Sequence, residues 1–175
     1  MNSESNPIAF TEAGRKRIER LIQRYPDKRS AILPVLYVAQ EEFGFISVEV
    51  MDLVAQQLDL TTPKVFEVVT FYTLLKQRPT GKHVIQLCRT LSCALAGSED
   101  ILAHLKRRLS IGPGETTKDG LFTLQTVECL ASCGTAPALQ VNGVFFENLT
   151  REKTDRIIDD LKRGMDPKMK PMGEN

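Results

Sequence analysis

Four cysteines carry the most pointed chemistry in this chain, and they fall in two pairs. Four residues separate Cys88 from Cys93, three separate Cys129 from Cys133, and thirty-five lie between the pairs. A [2Fe–2S] cluster asks for such an arrangement, because its two tetrahedral irons share two sulfides and each takes two thiolates. A loop of three or four residues can bring two sulfurs to one iron. A four-cysteine zinc site competes, although structural zinc usually sits on C-x2-C knuckles and neither pair has that spacing. A thiol–disulfide enzyme would want Cys-x-x-Cys at a helix N-terminus, and none occurs. Plain buried cysteines are the remaining reading. On spacing alone the iron–sulfur reading leads and zinc stays open.

For the pairs to meet, the elements before them must end side by side. Residues 84–87 read as a short buried strand running into Cys88. Residues 122–128, with Phe122 and Leu124 alternating against Thr123 and Gln125, read as a strand running into Cys129. A crossover helix between them would return the second strand beside the first. Ser98 is placed as the cap of that helix, with Ile101, Leu102, Leu105 and Leu109 inward and Gly112-Pro113-Gly114 closing it. Beyond the second pair, strands over 138–141 and 144–147 flank Asn142-Gly143, a strong hairpin signal. Thr150 caps a last helix that buries Ile157, Ile158 and Leu161 and ends at Gly164. The order β-α-β-β-α is that of a small thioredoxin-like domain.

The pattern changes near Arg78-Pro79-Thr80-Gly81, and everything ahead of it reads as helix. The first runs over about 11–24, with Ile18, Leu21, Ile22 and Tyr25 at helical spacing. The second runs over about 28–42 with Ile32, Leu33, Leu36 and Ala39 inward, and tolerates Pro34 only in its first turn. The third covers 48–58 and buries Val50, Met51, Val54 and Leu58. The fourth opens on Thr62 as N-cap, with Pro63 at the first helical position. It carries Val65, Phe66, Val69, Phe71, Tyr72 and Leu75, apolar around much of its circumference, so it is central to a bundle or faces a partner. The expected fold class is α/β (α+β). A flexible N-terminus over 1–10 precedes a four-helix bundle over 11–78, then the thioredoxin-like domain over 81–164 and a flexible tail over 165–175.

Lys and Arg number 23 against 22 Asp and Glu, a formal net charge of +1, which gives nucleic acid no basic face to bind. No run approaches the roughly 18 apolar residues of a membrane span. The first ten residues resemble neither a secretory signal nor a mitochondrial transit peptide. The expectation is a soluble, cytoplasmic protein, with any link to a membrane made through a partner.

No G-x-G-x-x-G follows a strand and no G-x4-G-K-[ST] occurs, so flavin and nucleotide fall to another chain. His83 and His104 are expected at the surface, and Lys106-Arg107-Arg108 is expected to be a solvated helix face. Arg89, next to Cys88, has two readings. Its charge favours the reduced cluster, by roughly 100 mV at a separation of about 7 Å, or it points to water. Backbone N–H groups over 89–93 and 130–135, with the Thr90, Ser92 and Thr135 hydroxyls, are candidate donors to the sulfurs. No side chain is expected to serve as acid, base or nucleophile.

Cys-Arg-Thr-Leu-Ser-Cys (88–93), Gly-Glu-Thr-Thr-Lys-Asp-Gly-Leu-Phe-Thr-Leu (114–124) and Glu-Cys-Leu-Ala-Ser-Cys-Gly-Thr-Ala-Pro (128–137) resemble the thioredoxin-like [2Fe–2S] subunit of NADH:quinone oxidoreductase, the E subunit of bacterial complex I. Arg29-Ser30-Ala31-Ile32-Leu33-Pro34, Gln40-Glu41-Glu42-Phe43-Gly44 and Val69-Thr70-Phe71-Tyr72 fit the same family, so the resemblance covers about residues 10–162. It implies one [2Fe–2S] cluster on Cys88, Cys93, Cys129 and Cys133. It also implies a flavin- and NADH-binding partner subunit that carries the FMN and NADH, with the helical half contributing to that contact. Further peripheral-arm subunits would complete a complex lying against the inner membrane, with this chain making no membrane insertion of its own. The chain would be an electron-carrying subunit, not catalytic in isolation. The equivalent subunit of an NAD-linked hydrogenase or formate dehydrogenase is the alternative within the family. A zinc-stabilised interaction module without a redox role is the alternative outside it. Ala131 and Ser132 stand where many relatives have Gly and Ala, small-for-small changes expected to leave the cluster undisturbed.

Overall fold

A computed structural model of the chain describes residues 8–165; most of the expected N-terminal and C-terminal flexible segments lies outside them. Two compact units divide between Pro79 and Thr80.

In the first unit, α1 (Glu12–Ile22) opens on Thr11, whose hydroxyl accepts the Gly14 N–H at 3.0 Å. Tyr25 lies beyond its end and is exposed, so the inward stripe stops at Ile22. A 3-10 turn over Arg29–Ala31 leads into α2 (Ile32–Phe43). Pro34 therefore falls in the first turn of the α-helix, where its missing N–H has no intrahelical partner to lose. The buried face of α2 is Val35, Leu36, Val38 and Ala39, while the expected Ile32 and Leu33 are only partly buried. Helix α3 (Val48–Leu58) starts at Ser47, whose hydroxyl accepts the Val50 N–H at 3.3 Å, and buries Val50, Met51, Val54 and Leu58 as expected.

Helix α4 (Thr62–Phe71) departs from expectation at both ends. Its N-cap is Thr61, and Thr62 is the first helical residue, its hydroxyl donating to Asp52 Oδ1 at 2.5 Å. It stops at Phe71 because Tyr72 turns to an extended conformation, leaving Leu75 beyond the helix but buried in the core of this unit. Within α4 Val65 and Val69, an i,i+4 pair, are buried in that core, with Val68 packed against it and partly buried. Phe66 and Phe71 are exposed at 49% and 77%, so the helix is one-sided and not central.

The second unit holds β1 (His83–Cys88), α5 (Leu91–Leu95), α6 (Ser98–Leu109), β2 (Phe122–Val127), a 3-10 turn over Cys133–Thr135, β3 (Leu139–Val141), β4 (Val144–Phe146) and α7 (Arg151–Lys162). The sheet order is β2-β1-β3-β4, with β1 parallel to β2 and antiparallel to β3, which in turn runs antiparallel to β4. Helix α6 is the crossover that a parallel neighbour requires. Ile85, Leu87, Phe122, Leu124, Leu139 and Val141 form one core with Ile101, Leu105 and Leu109 of α6 and Ile157, Ile158 and Leu161 of α7. Each such aliphatic side chain contributes about 1.5–3 kcal/mol on full burial. This layer makes the strand ends a firm platform for the loops beyond them.

Asn142 and Gly143 both take positive φ, 49° and 87°, as the two-residue turn between β3 and β4 demands. Thr150 caps α7 by accepting the Lys153 N–H at 3.2 Å. Four details differ from the sequence reading. Gly97, at φ 94°, takes the N-cap of α6 and Ser98 is its first residue; the helix ends on Ser110 in a left-handed conformation, ahead of Gly112. Helix α5 was not foreseen, since five residues are too few for a periodic signal. His83 is not at the surface: it is fully buried as the first residue of β1, its ring 5.6 Å from that of Phe122.

Candidate metal centre

Strands β1 and β2 pair in register from His83↔Phe122 to Cys88↔Val127, so both end at the same edge of the sheet. The ladder places Cys88 on its last rung and delivers Cys129 two residues after β2 ends. Cys93 is carried back toward Cys88 on the inner side of α5, whose Leu91 and Leu95 face outward at 74% and 81% exposure. Cys133 begins the 3-10 turn that follows the second loop.

The two pairs differ in setting. Cys88 and Cys93 are 1% and 2% exposed and form a small apolar enclosure with Ala138, flanked by Leu130 and Ala136. Cys129 and Cys133 are exposed, with their sulfurs 3.6 Å apart. Two thiolates at about 2.3 Å from one tetrahedral metal stand about 3.8 Å apart, so this spacing suits a shared ion.

The loops interlock around the sulfurs. The Thr90 hydroxyl lies 3.2 Å from Cys88 Sγ and also reaches Cys129 across the site. The Leu130 N–H of the second loop points to Cys88, and the Ala131 N–H lies 3.3 Å from Cys129 Sγ. The Ala138 N–H is directed at Cys93, which also feels the charge of Cys133. All four thiols thus share one neighbourhood, although no three His, Cys, Asp or Glu side chains among the described residues close on a single ion position.

The electrostatics follow from these donors. The Ala131 N–H, with Cys133 and the Thr90 hydroxyl, holds the Cys129 thiol below its ordinary value. Burial pushes Cys88 up, but the Thr90 hydroxyl and N–H, the Leu130 N–H and Cys93 together outweigh it and leave Cys88 lowered. Burial and the neighbouring Cys88 and Cys133 charges raise Cys93 despite the Ala138 N–H. Donors aimed at sulfur favour thiolate, the form that binds iron. Four thiols in two pairs, with N–H and O–H groups directed at them, fit a [2Fe–2S] cluster.

Of the expected donors, Thr90 is in place, whereas the Thr135 hydroxyl donates to the Ser132 carbonyl at 3.3 Å. Ala138 lies outside the segments expected to supply donors and is found only once β3 folds back on β1. Arg89 is 65% exposed and also engaged: its guanidinium pairs with Glu128 through Nε at 3.0 Å and Nη2 at 2.5 Å, a partner that neither reading foresaw. The signal for this was a cation just after Cys88 and an anion just before Cys129, on strands in register. His104 is half-buried and 2.8 Å from Asp155. Arg108 reaches Asp155 and Asp159 of α7, so the basic run is not wholly solvated. Ala131 takes φ 60°, a left-handed conformation that glycine adopts at lower cost.

A sheet with two cysteine pairs at one end and helices over one face defines a thioredoxin-like ferredoxin architecture. Residues 18–162 match the family model of the thioredoxin-like [2Fe-2S] ferredoxins, and the chain belongs to that family. It is 45% identical over 148 residues to the second NADH-quinone oxidoreductase E subunit of Rhizobium meliloti (strain 1021), covering 85% of this chain and 88% of that one. It is 41% identical over 165 residues to the NADH-quinone oxidoreductase E subunit of Rickettsia bellii (strain RML369-C), covering 93% and 99%. Among solved structures, an air-oxidized NAD+-reducing [NiFe]-hydrogenase superposes with a TM-score of 0.67 at 20% identity, over 77% of this chain. This chain spans 23% of that one, and the likeness is one of fold. The family's cofactor is a [2Fe-2S] cluster.

Proposed function

We propose that Cys88, Cys93, Cys129 and Cys133 hold one [2Fe–2S] cluster, and that the chain is the electron-transfer E subunit of an NADH:quinone oxidoreductase. The carrying observation is the convergence of two cysteine pairs at the ends of β1 and β2. It occurs in a chain 41–45% identical to proteins of that name. That identity favours the quinone-reductase setting over the hydrogenase one, whose likeness is 20%.

Bound there, the cluster supplies a one-electron couple. The chain's own residues do the rest. The four thiolates bind; Ala138, Leu130 and Ala136 exclude water from the inner pair. Thr90, Leu130, Ala131 and Ala138 direct donors at sulfur, which eases added negative charge. The exposed Cys129 and Cys133 form the side open to a partner. Hydride chemistry belongs to a flavin- and NADH-binding subunit, with further peripheral-arm subunits beyond it. The isolated chain turns over nothing. Residues 11–78 form a helical bundle that contributes to the partner contact, and 81–164 form the cluster domain. No helix among the described residues is long and apolar enough to cross a membrane. A cytoplasmic position, peripheral to the inner membrane through the complex, fits this reading.

The test is to combine the chain with the flavin- and NADH-binding subunit of an NADH-quinone oxidoreductase from the same organism and add NADH anaerobically. A [2Fe–2S] EPR signal on this chain that needs the partner supports the assignment. A centre that dithionite reduces but NADH with partner does not would contradict it.

A further inference from the structure

Arg89 and Glu128 occupy matched places just beyond the ends of neighbouring parallel strands, one directly after Cys88 and the other directly before Cys129. The paired rungs end at Cys88↔Val127, and the Arg89 N–H extends them by donating to the Val127 carbonyl at 3.0 Å. One step further the side chains meet, Arg89 Nε and Nη2 both donating to Glu128 Oε1, at 3.0 and 2.5 Å. We propose that this ion pair is a positioning latch for the cysteine centre: it ties the loop leaving Cys88 to the loop leading into Cys129, and it holds the net charge beside them at zero. The proposal rests on the reading of the four cysteines as cluster ligands.

Two consequences separate this from an ordinary surface pair. The first is mechanical. Apart from the Arg89 N–H to Val127 carbonyl bond, the contacts that cross between the loops include single donors on sulfur, from Leu130 to Cys88 and from Thr90 to Cys129. Arg89 to Glu128 joins the same loops without using a sulfur. Its side chains are 65% and 71% exposed, so the gain is small: about two- to five-fold in the rate at which the centre is lost. Salt should weaken it. The second is electrostatic. One-electron reduction adds a negative charge at the centre, which Arg89 alone would favour and Glu128 alone would oppose. Together they cancel, so removing either one unmasks the other.

The experiment uses the full chain carrying its cluster, with Arg89→Gln, Glu128→Gln, the double variant Arg89→Gln/Glu128→Gln and the charge exchange Arg89→Glu/Glu128→Arg. Two readouts are taken: cluster lifetime against an iron chelator, and midpoint potential from dithionite titration followed by EPR. The latch predicts that both single variants shorten the lifetime about two- to five-fold, that the double is no worse than either, and that the exchange restores it. It predicts that Glu128→Gln raises the potential and Arg89→Gln lowers it, with the double and the exchange near wild type. A merely structural role would not give shifts of opposite sign. Unchanged lifetimes, additive losses, or shifts of one sign or none overturn the latch. Wild-type chain that holds no iron and sulfide is a distinct result, which overturns the ligand reading and the latch with it.

Discussion

The sulfurs of Cys129 and Cys133 stand 3.6 Å apart at the protein surface, whereas Cys88 and Cys93 are enclosed with Ala138. The two halves of the candidate centre should therefore tolerate ligand replacement unequally. A serine at 88 or 93 places a hydroxyl in an apolar enclosure, at a cost of roughly 1–3 kcal/mol if it finds no partner. A serine at 129 or 133 stays in contact with water. Cys88→Ser and Cys93→Ser should lose nearly all cluster iron, while Cys129→Ser and Cys133→Ser keep a measurable fraction. Iron and sulfide content after anaerobic purification checks this, and equal loss at all four positions would count against it.

Ala131 sits at φ 60° with its N–H directed at Cys129 Sγ. A left-handed L-residue costs roughly 1–2 kcal/mol, partly offset by the greater chain entropy that glycine gives the unfolded state. Ala131→Gly should stabilise the domain by up to about 1 kcal/mol, and Ala131→Val should destabilise it. Denaturant unfolding of the cluster-loaded protein reads both. A less stable glycine variant would mean that this loop relaxes when loaded.

A side chain at Gly81 would meet the backbone of Phe122, its carbonyl carbon at 2.8 Å and its nitrogen at 2.9 Å. The Gly81 N–H also donates to the Thr123 hydroxyl at 2.6 Å, in the interior. Gly81→Ala should cost about 1–3 kcal/mol, because backbone and not a flexible side chain must move. Thermal unfolding measures it, and a shift within about 1 °C of wild type would show that the segment slides aside freely.

Asp119 shapes the turn that leads into β2. The Thr117 hydroxyl, then the Leu121 N–H, hold its carboxyl below the ordinary 3.8. The folded value being the lower one, the unfolded chain takes up the proton first as pH falls. The contribution of Asp119 is thus whole above the ordinary value and is lost as pH drops through the depressed one. Asp119→Asn should be less stable than wild type at neutral pH, and the gap should close below about pH 4. A gap independent of pH would assign the difference to geometry and not to charge.

Strand β1, strand β2 and the pairing of the four cysteines were legible because each signal is local: an apolar run ends on Cys88, and an alternating run ends two residues before Cys129. Helix α3 was legible for the same reason, with Ser47 before it and its periodic face intact. What the sequence concealed depends on distant chain. His83 is polar by type, yet the first rung of a parallel pair places it against Phe122. Tyr72 and Leu75 continue the apolar spacing of α4, yet the backbone leaves the helix at Tyr72. The Ala138 donor exists only because β3 returns antiparallel to β1, and Arg89 finds Glu128 only across the β1–β2 register. Residue type and spacing singled out the four candidate sulfurs; the fold decided what surrounds them.

The most direct measurement is iron and acid-labile sulfide per chain in anaerobically purified protein, with EPR after dithionite reduction. Two irons and two sulfides per chain, with a rhombic signal from one unpaired spin, are the expected result. Colourless protein with one zinc per chain and no signal on reduction would contradict the assignment of Cys88, Cys93, Cys129 and Cys133 to a [2Fe–2S] cluster.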